Sequence, residues 1–235
     1  MTAKCPFATL FGSKKNPHAA GLTGAAPTPS EPLSTLLRSS TQLLHDQAES
    51  HPLQTDLVRG IAPLEHYAAI LQQLAHVHAA LEPLLRSLQS NTKFGPLIQA
   101  HHFHLHALEN DLRFMHVGSA TALGATARFV DLIRRAGPTP ALLGVFYVLE
   151  GSTNGGTVIA KAIRTAYGWQ SEAGTSFINP HGPLVRQRWA AFKAELDATN
   201  FTTEERHTIL AIASATFTAY HAMLDDIHTS LTATA

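Results

Sequence analysis

The stretch Glu150-Gly151-Ser152-Thr153-Asn154-Gly155-Gly156 constrains this chain more than any other. It interrupts a helical pattern. Apolar residues run from Leu142 to Leu149 before it, and a second helical pattern runs from Thr157 to Ile163 after it. A glycine inside a helix costs about 1 kcal/mol relative to alanine. A chain tolerates several of them where a helix bends, or where something large and flat lies on bare backbone. Close packing of two helices through small residues explains the glycines equally well. A phosphate loop does not, because no Gly-Lys-Ser/Thr ending follows and no β-branched strand leads in. The spacing also fails the Gly-x-Gly-x-x-Gly dinucleotide pattern.

Of the 235 residues, 45% are apolar, enough for a sizeable core. Lys and Arg total 17, and Asp and Glu also total 17. That balance argues against nucleic acid as the main partner, and it supplies no polybasic membrane anchor. The single cysteine, Cys5, rules out an internal disulfide framework. No long apolar segment opens the chain, so a signal peptide is not expected and a cytoplasmic location is the default. Residues 208–224 lack Asp, Glu, Lys and Arg but are broken by Ser, Thr, Tyr and His. That reads as a half-buried helix, with no membrane span.

Residues 1–32 carry five prolines and little periodicity, and read as a flexible extension. From residue 33 to 235 the helical period dominates. Helices are expected over about 33–50, 63–85, 95–117, 120–136, 141–167, 184–196 and 203–229, with a loop at 168–183. No strand pattern or internal repeat appears. The expectation is one all-α domain, a single helical bundle.

Fifteen histidines stand out. His45 and Glu49 are four apart and share a helix face. A metal-bound imidazole usually donates its second ring N–H to such a carboxylate, although a surface His–Glu pair has the same spacing. His102 and His106 are also four apart, but a metal site needs a third ligand and none falls neatly on that face. The stretch from His101 to His106 therefore reads as a solvated polar helix face, as do His76 and His78. Cys5-Pro6 is too short a motif to assign. No Ser-His-Asp order, nucleophile elbow or Cys-x-x-Cys pair is present.

Two segments together resemble one known family. Leu37 to Glu49, with His45 and Asp46 inside it, is similar to the proximal helix of haem oxygenases. Tyr147 to Gly156 is similar to their distal helix in its bacterial form. Arg186 to Phe192 and Ala215 to Tyr220 fit as further stretches, so the resemblance covers about residues 33–230. It implies the haem oxygenase-like all-α fold, with haem as both cofactor and substrate. It places His45 on the haem iron and makes Glu49 the partner behind it. It makes Gly151, Ser152, Asn154, Gly155 and Gly156 the distal face. Arg38, with Arg186 or Arg188, is implied to hold the propionates, and Phe146, Tyr147 and Phe217 to line the pocket. Animal members carry an aspartate where this chain has Ser152, and many bacterial ones a leucine at Asn154.

The reaction implied is oxygen-dependent opening of haem to biliverdin, carbon monoxide and ferrous iron. Electrons must come from a ferredoxin or an NAD(P)H-dependent reductase, since no flavin motif is present. The alternative is a non-catalytic haem carrier or sensor on the same fold, which Ser152 and Asn154 favour. A thiamin-degrading enzyme of the same fold needs a core cysteine, and the one cysteine lies in the extension. Oligomers are possible, and the sequence does not fix their size.

Overall fold

The computed structural model describes residues 31–233. Of the expected flexible extension over residues 1–32, residues 1–30, with Cys5, lie outside the described residues. The elements are α-helices α1 (Leu33–Glu49), α2 (Pro52–Arg59), α3 (Leu64–Gln89), α4 (Leu105–Phe114), α5 (Gly124–Ala136), α6 (Leu142–Ser152), α7 (Gly156–Tyr167), α8 (Val185–Ala198) and α9 (Thr203–Thr232). No strand occurs among the described residues. None of the described helices is long and apolar enough to cross a membrane.

Helix α9 is the spine, and packs against α1, α3, α5 and α6. It opens with a capping box: Thr202 Oγ1 accepts from the Glu205 backbone N–H at 3.1 Å, and the Glu205 carboxylate accepts from the Thr202 N–H at 2.7 Å. Other helices are capped by their neighbours. Pro32 gives α1 no side-chain cap, and Asp197 of α8 accepts from the Ser34 N–H at 2.8 Å and its hydroxyl at 2.6 Å. An anion at a helix N-terminus also opposes the positive end of the helix dipole. Asp226 of α9 does the same for α5, through the Ala125 N–H at 2.6 Å.

Helix α6 is buried at every position from Leu142 to Glu150. It reaches that depth because its backbone touches α9 directly. A Cβ on Gly144 would lie 2.5 Å from the Ile209 carbonyl oxygen and 2.8 Å from the Ala213 nitrogen.

Three expectations need correction. The helix expected over 95–117 is two 3-10 turns, Gly95–Leu97 and Ala100–His102, followed by α4. Side chains there compete with the helix for backbone groups. The Gln99 N–H donates to His102 Nδ1 at 3.0 Å, and Gln99 Nε2 donates to the Pro96 carbonyl at 2.7 Å. Helix α2 was not expected; buried His51 caps it, accepting from the Leu53 N–H at 3.2 Å, with Pro52 following and Gly60 left-handed at its end. The single helix expected over 141–167 breaks into α6, a 3-10 turn Thr153–Gly155, and α7.

The Gly144 contact yields a test. Gly144→Ala forces α6 away from α9 and will lower stability by about 1–3 kcal/mol in urea unfolding, whereas Gly168→Ala, whose Cβ meets nothing within 4 Å, will cost only the strain of its left-handed backbone, about 1 kcal/mol.

Candidate functional site

A cavity of about 350 Å³ lies among α1, α3, the α6–α7 hinge, α8 and α9. Small-molecule sites occupy roughly 300–1,000 Å³. Helical spacing decides what each wall presents. Helix α1 contributes Arg38, Thr41, His45 and Glu49, one face at intervals of three and four. Helix α3 contributes Ile70, Leu74 and His78 at the same interval, and α8 contributes Trp189 and Lys193. Tyr147, Val148, Gly151, Ser152 and Gly155 come from the hinge, and Phe217 and Tyr220 from α9.

The His45 side chain is 28% exposed and sits edge-on to Phe217, with ring centres 5.8 Å apart. Two carboxylates flank it. Glu49 lies 3.5 Å from Nε2, and Asp46 lies 3.6 Å from Nδ1. A metal bound at one nitrogen therefore leaves a carboxylate beside the other: Asp46 if Nε2 ligates, Glu49 if Nδ1 does. Burial pushes the Glu49 carboxyl up, with His45 pulling it back.

The hinge is built from side chains that turn back on their own helix. Ser152 Oγ donates to the Leu149 carbonyl, Thr153 Oγ1 to the Glu150 carbonyl and Asn154 Nδ2 to the Gly151 carbonyl, at 2.7, 2.7 and 2.8 Å. Each satisfies a carbonyl at the break in the α-helical ladder. Asn154, expected on the distal face, is not among the residues that line the cavity. Gly156 is required by the loop above it: a Cβ there would lie 1.8 Å from the Ile178 carbonyl oxygen. Gly151 faces Trp189, whose ring would lie 3.3 Å from an added Cβ.

The expected cations and aromatics divide. Arg38 lines the cavity, but Arg186 and Arg188 do not; Lys193, one turn on from Trp189, does. Arg186 is exposed, and Arg188 is held away by its bond to His181. Tyr147 and Phe217 line the cavity, and burial pushes the Tyr147 phenol up to about 12 against the pull of Arg38. Phe146 does not. It points into the core, with ring centres 4.9 Å from His102 and 5.0 Å from Phe192.

A family sequence model described as Heme oxygenase matches residues 31–226. This chain belongs to the haem oxygenase family. It is 24% identical to heme oxygenase 1 of Bos taurus over 210 residues, covering 85% of this chain and 73% of that one. Against heme oxygenase 1 of Rattus norvegicus the identity is 23%, covering 86% and 74%. The heme oxygenase of Leptospira interrogans superposes with a TM-score of 0.76 at 24% identity, covering 83% of this chain and 98% of that one. Heme oxygenase-1 of the cyanobacterium Synechocystis, solved with heme, gives 0.78 at 18% identity, covering 87% and 96%. At these identities the superpositions establish the fold alone.

Behind the cavity of this haem oxygenase lies a cluster that overturns the reading of the histidine-rich stretch as a solvated face. His102 and His104 are buried, and so are His78, Glu150 and His181. Only His106 is exposed. His104 Nε2 lies 3.0 Å from one Glu150 oxygen and His181 Nε2 2.6 Å from the other; His102 Nε2 is 3.9 Å away. Burial alone would raise the Glu150 carboxyl, but the bonds from His104 and His181 outweigh it and hold the group well below the usual carboxylate range. The cluster spans α6, the 3-10 turn before α4 and the loop before α8. Its members are far apart in sequence, and the only signals were the histidine excess and a glutamate adjoining Gly151.

Burial lowers the His102 imidazole to about 4 from 6.5, against the upward pull of Glu150. Between those values the unfolded chain binds more protons than the folded one. The stability from a neutral His102 is therefore fully present above pH 6.5 and is lost as pH falls toward 4. At about 1.4 kcal/mol per pH unit, that loss is about 3 kcal/mol. Urea unfolding at about pH 7 and about pH 4.5 will show a shallower acid slope in His102→Leu than in wild type.

Proposed function

We propose that the cavity holds haem, with His45 the residue that would hold its iron, and that the chain degrades haem to biliverdin, carbon monoxide and ferrous iron with O₂ and external electrons. The observation that carries this reading is the meeting, in one cavity, of the α1 face bearing His45 with the side-chain-poor hinge at Gly151 and Gly155.

The residues present fit a porphyrin. The body of the cavity is apolar, through Ile70, Leu74, Val148 and Phe217. Bare backbone at Gly151 and Gly155 admits a flat group. Two cations, Arg38 and Lys193, come from helices that pack together, α1 and α8. They would pair the propionates, a task expected of Arg186 or Arg188.

When bound, haem supplies both the redox-active iron and the ring that is opened. The chain itself binds and orients. His45 provides one nitrogen, with a carboxylate beside the other. Ser152 gives its proton to the Leu149 carbonyl, so toward the cavity it offers only lone pairs. No flavin or dinucleotide motif is present in the sequence, so electrons come from a ferredoxin or an NAD(P)H-dependent reductase, in keeping with a cytoplasmic location. The carrier reading rested on Ser152 and Asn154, and Asn154 stands outside the cavity lining.

Anaerobic reconstitution with hemin, followed by O₂ and ascorbate or ferredoxin, tests the reading. Loss of the Soret band with growth of biliverdin absorption is expected; a stable haem spectrum under the same conditions would favour the carrier. His45→Ala will abolish tight haem binding while His106→Ala leaves it intact. Lys193→Ala will weaken haem affinity about tenfold, equivalent to about 1.4 kcal/mol, and Arg186→Ala will leave it unchanged; equal effects of the two would reassign the propionate contact.

A further inference from the structure

His104 belongs to both the cavity and the buried cluster. It lines the cavity, and its Nε2 faces Glu150 at 3.0 Å. An ionised carboxylate only accepts, so Nε2 carries a proton, and in the imidazole form Nδ1 is left with a lone pair. Among the described residues, Nδ1 of His104 makes no hydrogen bond.

The ring is fixed from two sides. Glu150 holds it through Nε2. The carboxylate of Glu82, on α3, accepts the Leu105 backbone N–H at 2.6 Å and so pins the chain next to His104. His78, one turn before Glu82, stands edge-on to His104 with ring centres 6.2 Å apart and also lines the cavity.

A divalent cation would find three ligand atoms within 4.8 Å of one another at His104, Glu150 and His181. The hydrogen bonds argue for another role. Arg188 approaches His181 Nδ1 at 2.9 Å, and a guanidinium can only donate. Nδ1 is therefore the acceptor, and His181 Nε2 carries the proton it gives to Glu150 at 2.6 Å. A nitrogen engaged in that way does not ligate. The cluster is a chain of donors that orients Glu150, and through it His104.

We propose that His104 is a water-positioning residue of the cavity, its Nδ1 accepting a hydrogen bond from water held over the bound haem, with Glu150 as the positioning residue behind it. This rests on the function proposed above. It gives the cavity, from the start of α4, an imidazole acceptor in addition to the lone pairs that Ser152 presents.

The test separates the two readings. Imidazole ¹⁵N NMR on the haem-free protein will show His104 protonated at Nε2 and bare at Nδ1. In Glu150→Gln the amide oxygen accepts from His181, whose tautomer Arg188 fixes, so the amide N–H points at His104 and its proton moves to Nδ1. His104→Leu, His104→Gln and Glu150→Gln will bind haem within a fewfold of wild type, yet form biliverdin more slowly, on the order of 100-fold. A wild-type His104 protonated at Nδ1 would overturn the assignment. So would wild-type turnover in haem-replete His104→Leu. Wild-type protein that binds haem and never degrades it would instead remove the proposed function, and the tautomer measurement, made without haem, would still decide the His104–Glu150 arrangement.

Discussion

The structure depends on backbone meeting backbone on either side of the α6–α7 hinge, at the start of α6 and at the start of α7. Gly144 lets α6 lie on the carbonyl of Ile209, and Gly156 lets the start of α7 lie under the carbonyl of Ile178. These contacts fix where the break between the helices falls, and with it where bare backbone faces the cavity. Side-chain packing alone would tolerate drift, because apolar side chains of similar volume repack at low cost. A carbonyl oxygen 2.5 Å or less from where a Cβ would sit allows none. The hinge residues then close their own hydrogen bonds locally, from Ser152, Thr153 and Asn154 to carbonyls three positions back. These bonds add to the Thr153 backbone N–H, which already reaches the Glu150 and Gly151 carbonyls, so the buried carbonyls at the break do not lack partners.

Glu150 shows what the fixed hinge permits. A buried carboxylate is expensive unless its oxygens are filled. Here both are, by His104 and His181. Those donors come from the turn before α4 and the loop before α8, so a single carboxylate ties two irregular segments to the central helix. Asp111 acts in the same manner nearby, accepting the Phe177 N–H at 2.7 Å, and so fastens the loop that carries Ile178 over Gly156. The irregular segments around the cavity are thus held by buried acids, where regular helices are held by apolar faces.

The legible part of the fold was the part written in local periodicity. Helices α1, α3, α5, α8 and α9 fall close to where the 3.6-residue pattern puts them, and the all-α class follows from it. The segment around Gly95 to His104 misled because its helical composition is overridden by side-chain bonds that need the turn already formed, such as the Gln99 N–H to His102 Nδ1. His45 and Gly151 could be placed in one site because each sits in a motif. Lys193 could not, because its relevance comes only from the direction α8 takes past α1. Phe146 and Tyr147 are neighbours in sequence, yet a helix turns successive residues by about 100°, so one faces the core and the other the cavity.

The same geometry explains how a serine can stand at Ser152. A short hydroxyl at the end of a helix bonds most readily to its own preceding turn, and Ser152 does so. The position then stabilises the hinge and offers the cavity little beyond an acceptor. Other elements also bring polar side chains to the cavity, among them His78 from α3 and His104 from the start of α4. Each has a glutamate near its ring, Glu82 at 3.8 Å and Glu150 at 3.0 Å. A carboxylate placed behind an imidazole keeps its charge buried and satisfied, away from the cavity. For a largely apolar pocket, that arrangement keeps Glu82 and Glu150 from meeting a flat aromatic ligand as bare anions, where desolvation would push their pKa upward.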